Sequence, residues 1–143
     1  MKKLTTKLMI AATALLAAAG AASAQNMTAQ IPFEFRVGNR VMPAGTYQVG
    51  LANSVSSAPL FLLRGDYSRR SAILMAQARV DPRKAWAAEG GAKLEFACAG
   101  RRCALAELWD GSRGGPAYRF RLPEMGNDDI HMAVIPLQRD KGE

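Results

Sequence analysis

The run from Lys93 to Trp109, KLEFACAGRRCALAELW, restricts the fold more than any other stretch of this chain. Leu94, Phe96 and Cys98 alternate with Lys93, Glu95 and Ala97, the period of a strand with one face buried. The return run from Cys103 to Trp109 alternates less cleanly. With Ala99 to Arg102 as a four-residue hairpin loop, Cys98 falls opposite Cys103, Phe96 opposite Leu105 and Leu94 opposite Glu107, all on one face. Glu95 and Glu107 then point to opposite faces and make no paired-carboxylate site. Gly100 supplies the positive φ such a loop needs. Two cysteines opposed in a non-hydrogen-bonded pair have Cα atoms about 4.5 to 5.5 Å apart, within reach of a disulfide. Two buried free thiols are the competing reading. A zinc site is disfavoured, because two cysteines and a single histidine fall short of the four ligands structural zinc takes.

Residues 1–24 read as a secretory signal peptide. Lys2, Lys3 and Lys7 form the basic start, Leu8 to Ala22 the apolar run, and Ala22-Ser23-Ala24 the small-residue cleavage site before Gln25. Glutamine stands where lipoprotein processing requires cysteine, so no lipid anchor and no stable membrane insertion are expected after cleavage. An uncleaved membrane anchor is the alternative. An exported product, periplasmic or extracellular, meets an oxidising environment in which the disulfide forms. Export also removes three lysines, lowering the net charge from +7 to about +4. That balance and the compartment speak against nucleic acid as a partner. Residues 25–143 have the length of one domain, long enough to bury a core with the disulfide as an accessory.

The domain opens with QIPFEFRVGNRVMPAGTYQVG, residues 30–50. Ile31, Phe33, Phe35 and Val37 alternate with Glu34 and Arg36, which predicts one amphipathic strand, and Pro32 suggests an edge position. Gly38-Asn39 and Pro43-Ala44-Gly45 punctuate it before Thr46 to Val49 resume extended structure. These residues resemble the opening of a loosely defined group of small exported bacterial proteins, with a pattern near I/V-P-F-x-F-x-V-G-x-x-x-x-P-A-G-x-Y-x-V after a signal peptide. Leu94, Phe96, Gly100, Leu105, Leu108 and Trp109 are similar to the later hairpin of the same group. The group has no established activity, so the resemblance implies a β-fold and carries no site residue. The two cysteines and the tail after Gly111 depart from its pattern.

Asn53 to Ala58 reads as a polar loop and Leu60 to Arg64 as a short strand. Ser71 to Arg79 contains good helix formers, yet its length between turn signals favours a strand. Val80 to Gly91, holding Asp81-Pro82 and Gly90-Gly91, is expected to be a loop whose Trp86 caps the core edge. Ala117 to Leu122 and Ile130 to Leu137 complete seven to nine short strands, with no helix expected after the leader. The fold class is therefore all-β: a single small antiparallel β-sandwich or β-barrel domain after an N-terminal signal-peptide helix.

Asp128, Asp129 and His131 have a metal or acid-base flavour, but a solvated turn followed by a surface histidine is the simpler reading. No G-x-S-x-G elbow, dinucleotide fingerprint or phosphate loop is present. No enzyme, metal or cofactor is expected. The expected role is a non-catalytic envelope or extracellular binding module. Arg101 and Arg102 at the hairpin tip form its possible partner-binding loop, facing an anionic envelope component or another protein. A small β-barrel carrier of an apolar ligand is the alternative, and a hydrolase of unknown type the lower one.

Overall fold

Apolar positions that alternate along short strands are buried only when a second layer covers them. The structure, a computed structural model, describes residues 26–53, 59–67 and 69–140. The expected leader and residues 54–58 of the expected polar loop lie outside the described residues. In chain order the elements are β1 (Met27–Ile31), β2 (Phe35–Val37), β3 (Arg40–Met42), β4 (Gly45–Asn53), β5 (Leu60–Gly65), β6 (Ser71–Met75), β7 (Ala78–Val80), α1 (Lys84–Glu89), β8 (Lys93–Ala99), β9 (Arg102–Trp109), β10 (Ala117–Arg119), β11 (Ile130–Pro136) and β12 (Gln138–Arg139). They build two sheets packed face to face, a small all-β sandwich. The first sheet has the order β12-β1-β4-β5-β6, and the second β11-β8-β9-β10-β7. Neighbours are antiparallel except for β2, which runs parallel to the start of β9 and carries β3 on its other side.

The space between the sheets is filled by side chains. Ile31, Tyr47, Val49 and Leu63 of the first sheet meet Leu94, Phe96, Cys98 and Leu108 of the second, all of them buried. Phe35 lies between the layers and meets Tyr47 and Phe96 edge-on, with ring centroids 5.2 and 5.3 Å apart. Such aromatic pairs each contribute about 0.5 to 1.5 kcal/mol beyond the area they bury. The Tyr47 hydroxyl donates to the Pro43 carbonyl, tying the Pro43-Ala44-Gly45 turn to the core.

Both sides of the sandwich are bridged by chain that changes sheet, the way corners form in packed sheets. β6 leaves the first sheet at Ala76 and continues as β7 in the second, where Gln77 N–H donates to the Arg119 carbonyl at 2.8 Å. On the other side β11 passes through Leu137 into β12, which pairs with β1.

Three expectations are corrected here. The strand expected from Ile31 to Val37 is two strands in different sheets. Pro32 has no N–H to continue the ladder, so β1 ends at Ile31 and the chain crosses to β9. The apolar alternation survives because the crossing turns Phe33 toward Phe96, at 5.1 Å between centroids. The stretch expected to be only loop contains α1, six residues of good helix formers. So short a helix does not stand alone. It is held by buried Trp86, which stacks on Trp109 outside the second sheet instead of capping the core. Finally, β10 stops at Arg119, short of the expected Leu122.

Candidate functional site

The central hairpin forms as β8 and β9, with Cys98 opposite Cys103 and Phe96 opposite Leu105. The two sulfurs are bonded, at 2.10 Å. Ala99 pairs with Arg102, so the loop is two residues, Gly100-Arg101, and not four. Gly100 has φ +58° and Arg101 a negative φ, as in the type II′ turns that suit the twist of a hairpin. Because strand side chains alternate, Cys103 points into the core while Arg102 points out. Arg101 and Arg102 are both exposed, and neither forms an ion pair among the described residues. A side chain at position 100 would meet the carboxylate of Asp128, 3.4 Å from its Cβ. The tip is thus a stiff, cationic turn with an acidic neighbour on one flank.

A second cluster lies on the outer face of the second sheet. Leu94 pairs with Leu108 and Glu95 with Glu107, because a register shift between Glu95 and Phe96 leaves Ala106 as an extra residue in β9. This corrects the expected pairing of Leu94 with Glu107 and the expectation that the two glutamates point to opposite faces. They sit directly opposite each other on one face, and both are buried. Arg83, leading into α1, brings Nη2 to 2.7 Å from Glu95 Oε1. Arg119 of β10 donates to Glu107 Oε1 from Nε at 3.0 Å and from Nη2 at 2.9 Å. Trp86 stacks on Trp109 at 6.5 Å between ring centroids, and the Arg83 guanidinium lies 5.6 Å from the Trp86 ring centroid.

Electrostatically the two glutamates differ. Neither Glu95 oxygen receives a well-aligned hydrogen bond, and Trp109 Nε1 is likewise buried without a partner. Burial raises the Glu95 carboxyl above its ordinary range; the Arg83 charge pulls it down, the Glu107 charge pushes it up, and Arg119 lowers it slightly. Opposed carboxylates suggest acid-base chemistry in principle. Here each is paired with a guanidinium: Arg83 ties the α1 excursion, residues 81–92, to Glu95 of β8, and Arg119 ties β10 to Glu107 of β9. Lys93 adds a further tie across that excursion, with Nζ 3.3 Å from Glu89 Oε2.

Asp128, Asp129 and His131 are all exposed, and His131 on β11 stands opposite Cys98. Among the described residues no three His, Cys, Asp or Glu side chains gather as metal ligands. An open cleft of about 490 Å³ between α1 and the following turns is lined by Pro82, Glu89, Trp109, Gly111 and Arg113 among others. Among the described residues no helix is long and apolar enough to cross a membrane.

The structure brings the four expected tip residues together and adds Glu95, Glu107, Arg83 and Arg119, which reading the sequence as a regular hairpin conceals. The signal for them was present in β9: Leu105 and Leu108 are three residues apart, which period two cannot place on one face without a bulge. Comparison with known protein families, curated proteins and solved structures finds no match.

Proposed function

We propose that this chain is an exported, non-catalytic binding domain, of the small exported group its opening resembles, which meets an anionic partner through the tip of its central hairpin. The observation that carries the reading is the pair Arg101 and Arg102, exposed beside a closed disulfide and without ion-pair partners among the described residues. Guanidinium groups match carboxylate and phosphate in fork geometry, and a turn already stiffened loses less entropy when they engage. A carrier holding its ligand between the sheets is less well supported, because Tyr47, Phe35, Phe96 and Leu63 occupy that space.

The test is retention of the mature protein on immobilised polyglutamate and polyphosphate over a salt gradient. Arg101→Ala with Arg102→Ala should elute at clearly lower salt with an unchanged melting temperature. Elution of this variant at the wild-type salt concentration on both polymers would remove the tip as the binding site.

A further inference from the structure

The side of the sandwich bridged by β6 and β7 is not sealed along its length. In the β5–β6 ladder Gly65 N–H donates to the Arg70 carbonyl and Ala76 N–H to the Pro59 carbonyl. With the register of that pair, the backbone groups of Ala72 and Leu74 therefore face β5, while those of Ser71, Ile73, Met75 and Gln77 face away from it. The two ends of this outward row are occupied. Arg40 Nη1 donates to the Ser71 carbonyl, and Gln77 N–H donates to the Arg119 carbonyl. Between them a cleft of about 150 Å³ opens where β2 ends and the chain after β10 begins. Its walls are Val37, Ile73, Leu74, Met75, Leu105 and Phe120, and among the described residues the one charged side chain lining it is Arg121.

We propose that this seam is a binding site for a single-chain anionic amphiphile, its acyl end in the cleft and its carboxylate on Arg121. The inference goes beyond the reading of the hairpin tip and uses none of the tip residues. Three observations select this occupant. The floor is apolar and buried at Leu74, Leu105 and Phe120, and among the described residues no carboxylate lines the cleft to compete for the guanidinium. The volume is below the roughly 300 to 1,000 Å³ of pockets that enclose drug-sized ring systems, so it takes the end of a chain. The rest of an acyl chain has an apolar track on the outer surface, where Ile73 is 69% and Met75 66% exposed, a poor state for two large apolar side chains on one edge strand. Arg121 has no ion-pair or hydrogen-bond partner among the described residues, so an anion at the rim displaces nothing.

The experiment is calorimetric titration of the mature protein at pH 8 with decanoate below its micelle concentration, and in parallel with decyltrimethylammonium. Decanoate should bind with one site per chain and the cationic analogue should not. Arg121→Glu should weaken decanoate by about tenfold or more, and Ile73→Ser by less. Arg101→Ala with Arg102→Ala should bind decanoate as wild type does, so failure of the tip reading and failure of this one are told apart. Melting curves confirm that each variant is folded, and Arg121→Gln serves the same comparison if Arg121→Glu is not. Absence of decanoate binding, equal binding of the cationic analogue, undiminished binding by the Arg121 variant, or binding to anionic vesicles alone would each overturn the proposal.

Discussion

Removing Arg83 isolates the least comfortable group in the molecule. Glu95 has no exposed surface, and its close cationic neighbour is Arg83, whose own side chain is 51% exposed. Arg83→Ala leaves a buried carboxylate facing Glu107 without that neighbour, a change that costs 3 to 5 kcal/mol in fully buried pairs. The Arg83 side of this pair is wet, so water reaches the carboxylate once the side chain is gone, and a loss of about 2 kcal/mol is expected. For a domain of this size that is a fall of about 10 °C in melting temperature at pH 7.5. Glu95→Gln alone should be neutral or mildly stabilising, because the amide keeps the shape without the buried charge. It should also rescue most of the Arg83→Ala loss in the double variant.

The pH dependence of the same variants has a definite sign. Burial raises the folded-state pKa of Glu95 above 4.5, so the folded protein holds this proton more tightly than the unfolded chain. Its contribution to stability is fully present below the unfolded value and is lost as pH rises through the folded one. Arg83→Ala removes the charge that pulls the carboxyl down and so widens that window. The deficit of Arg83→Ala relative to wild type should therefore shrink on going from pH 7.5 toward pH 5, and Glu95→Gln should flatten the curve. Thermal melts across that range, followed by fluorescence of the chain's two tryptophans, which stack on each other beside this pair, read both effects. A deficit that is the same at pH 5 and pH 7.5, or one that Glu95→Gln does not rescue, would refute the reasoning.

Further outcomes are expected elsewhere. Cys98→Ser with Cys103→Ser should lower stability by about 2 kcal/mol, the entropy of so short a closed loop, while the protein still folds; thiol titration of the non-reduced wild type should find no free cysteine. Gly111→Ala should cost about 2 to 3 kcal/mol in denaturant melts, since φ is +82° and the new Cβ would stand 2.9 Å from the Ala92 nitrogen. His131→Ala, at an exposed position on β11, should leave the melting temperature within about 2 °C of wild type.

Much of the sandwich was legible in the sequence because its signals are local. Alternation in KLEFACA, a glycine at the turn and cysteines that oppose each other across it specify a hairpin and its disulfide from neighbouring residues alone. Leu60 to Arg64 was likewise readable from its flanking turns, whereas Ser71 to Arg79, expected as one strand, is β6 and β7 in different sheets, with the chain crossing at Ala76. The tip arginines were readable for the same local reason as the hairpin: both sit on the short loop that the disulfide closes.

Other features were decided only when the two sheets met. Whether Ile31 to Val37 is one strand or two depends on which sheet each half joins, and Pro32 marks the break without revealing that the chain crosses between layers. The helix at Lys84–Glu89 exists because Trp86 finds Trp109, a contact across more than twenty residues that propensity does not contain. The bulge at Ala106 arises because Leu105 and Leu108 must both face the core, and a strand can turn both inward only by spending one residue. That slip turns Glu107 to the outer face opposite Glu95, under Arg83 and Arg119. Register in a sheet is set by what lies across the interior, so the sequence determined which residues alternate, and the packed layers decided which of them share a face.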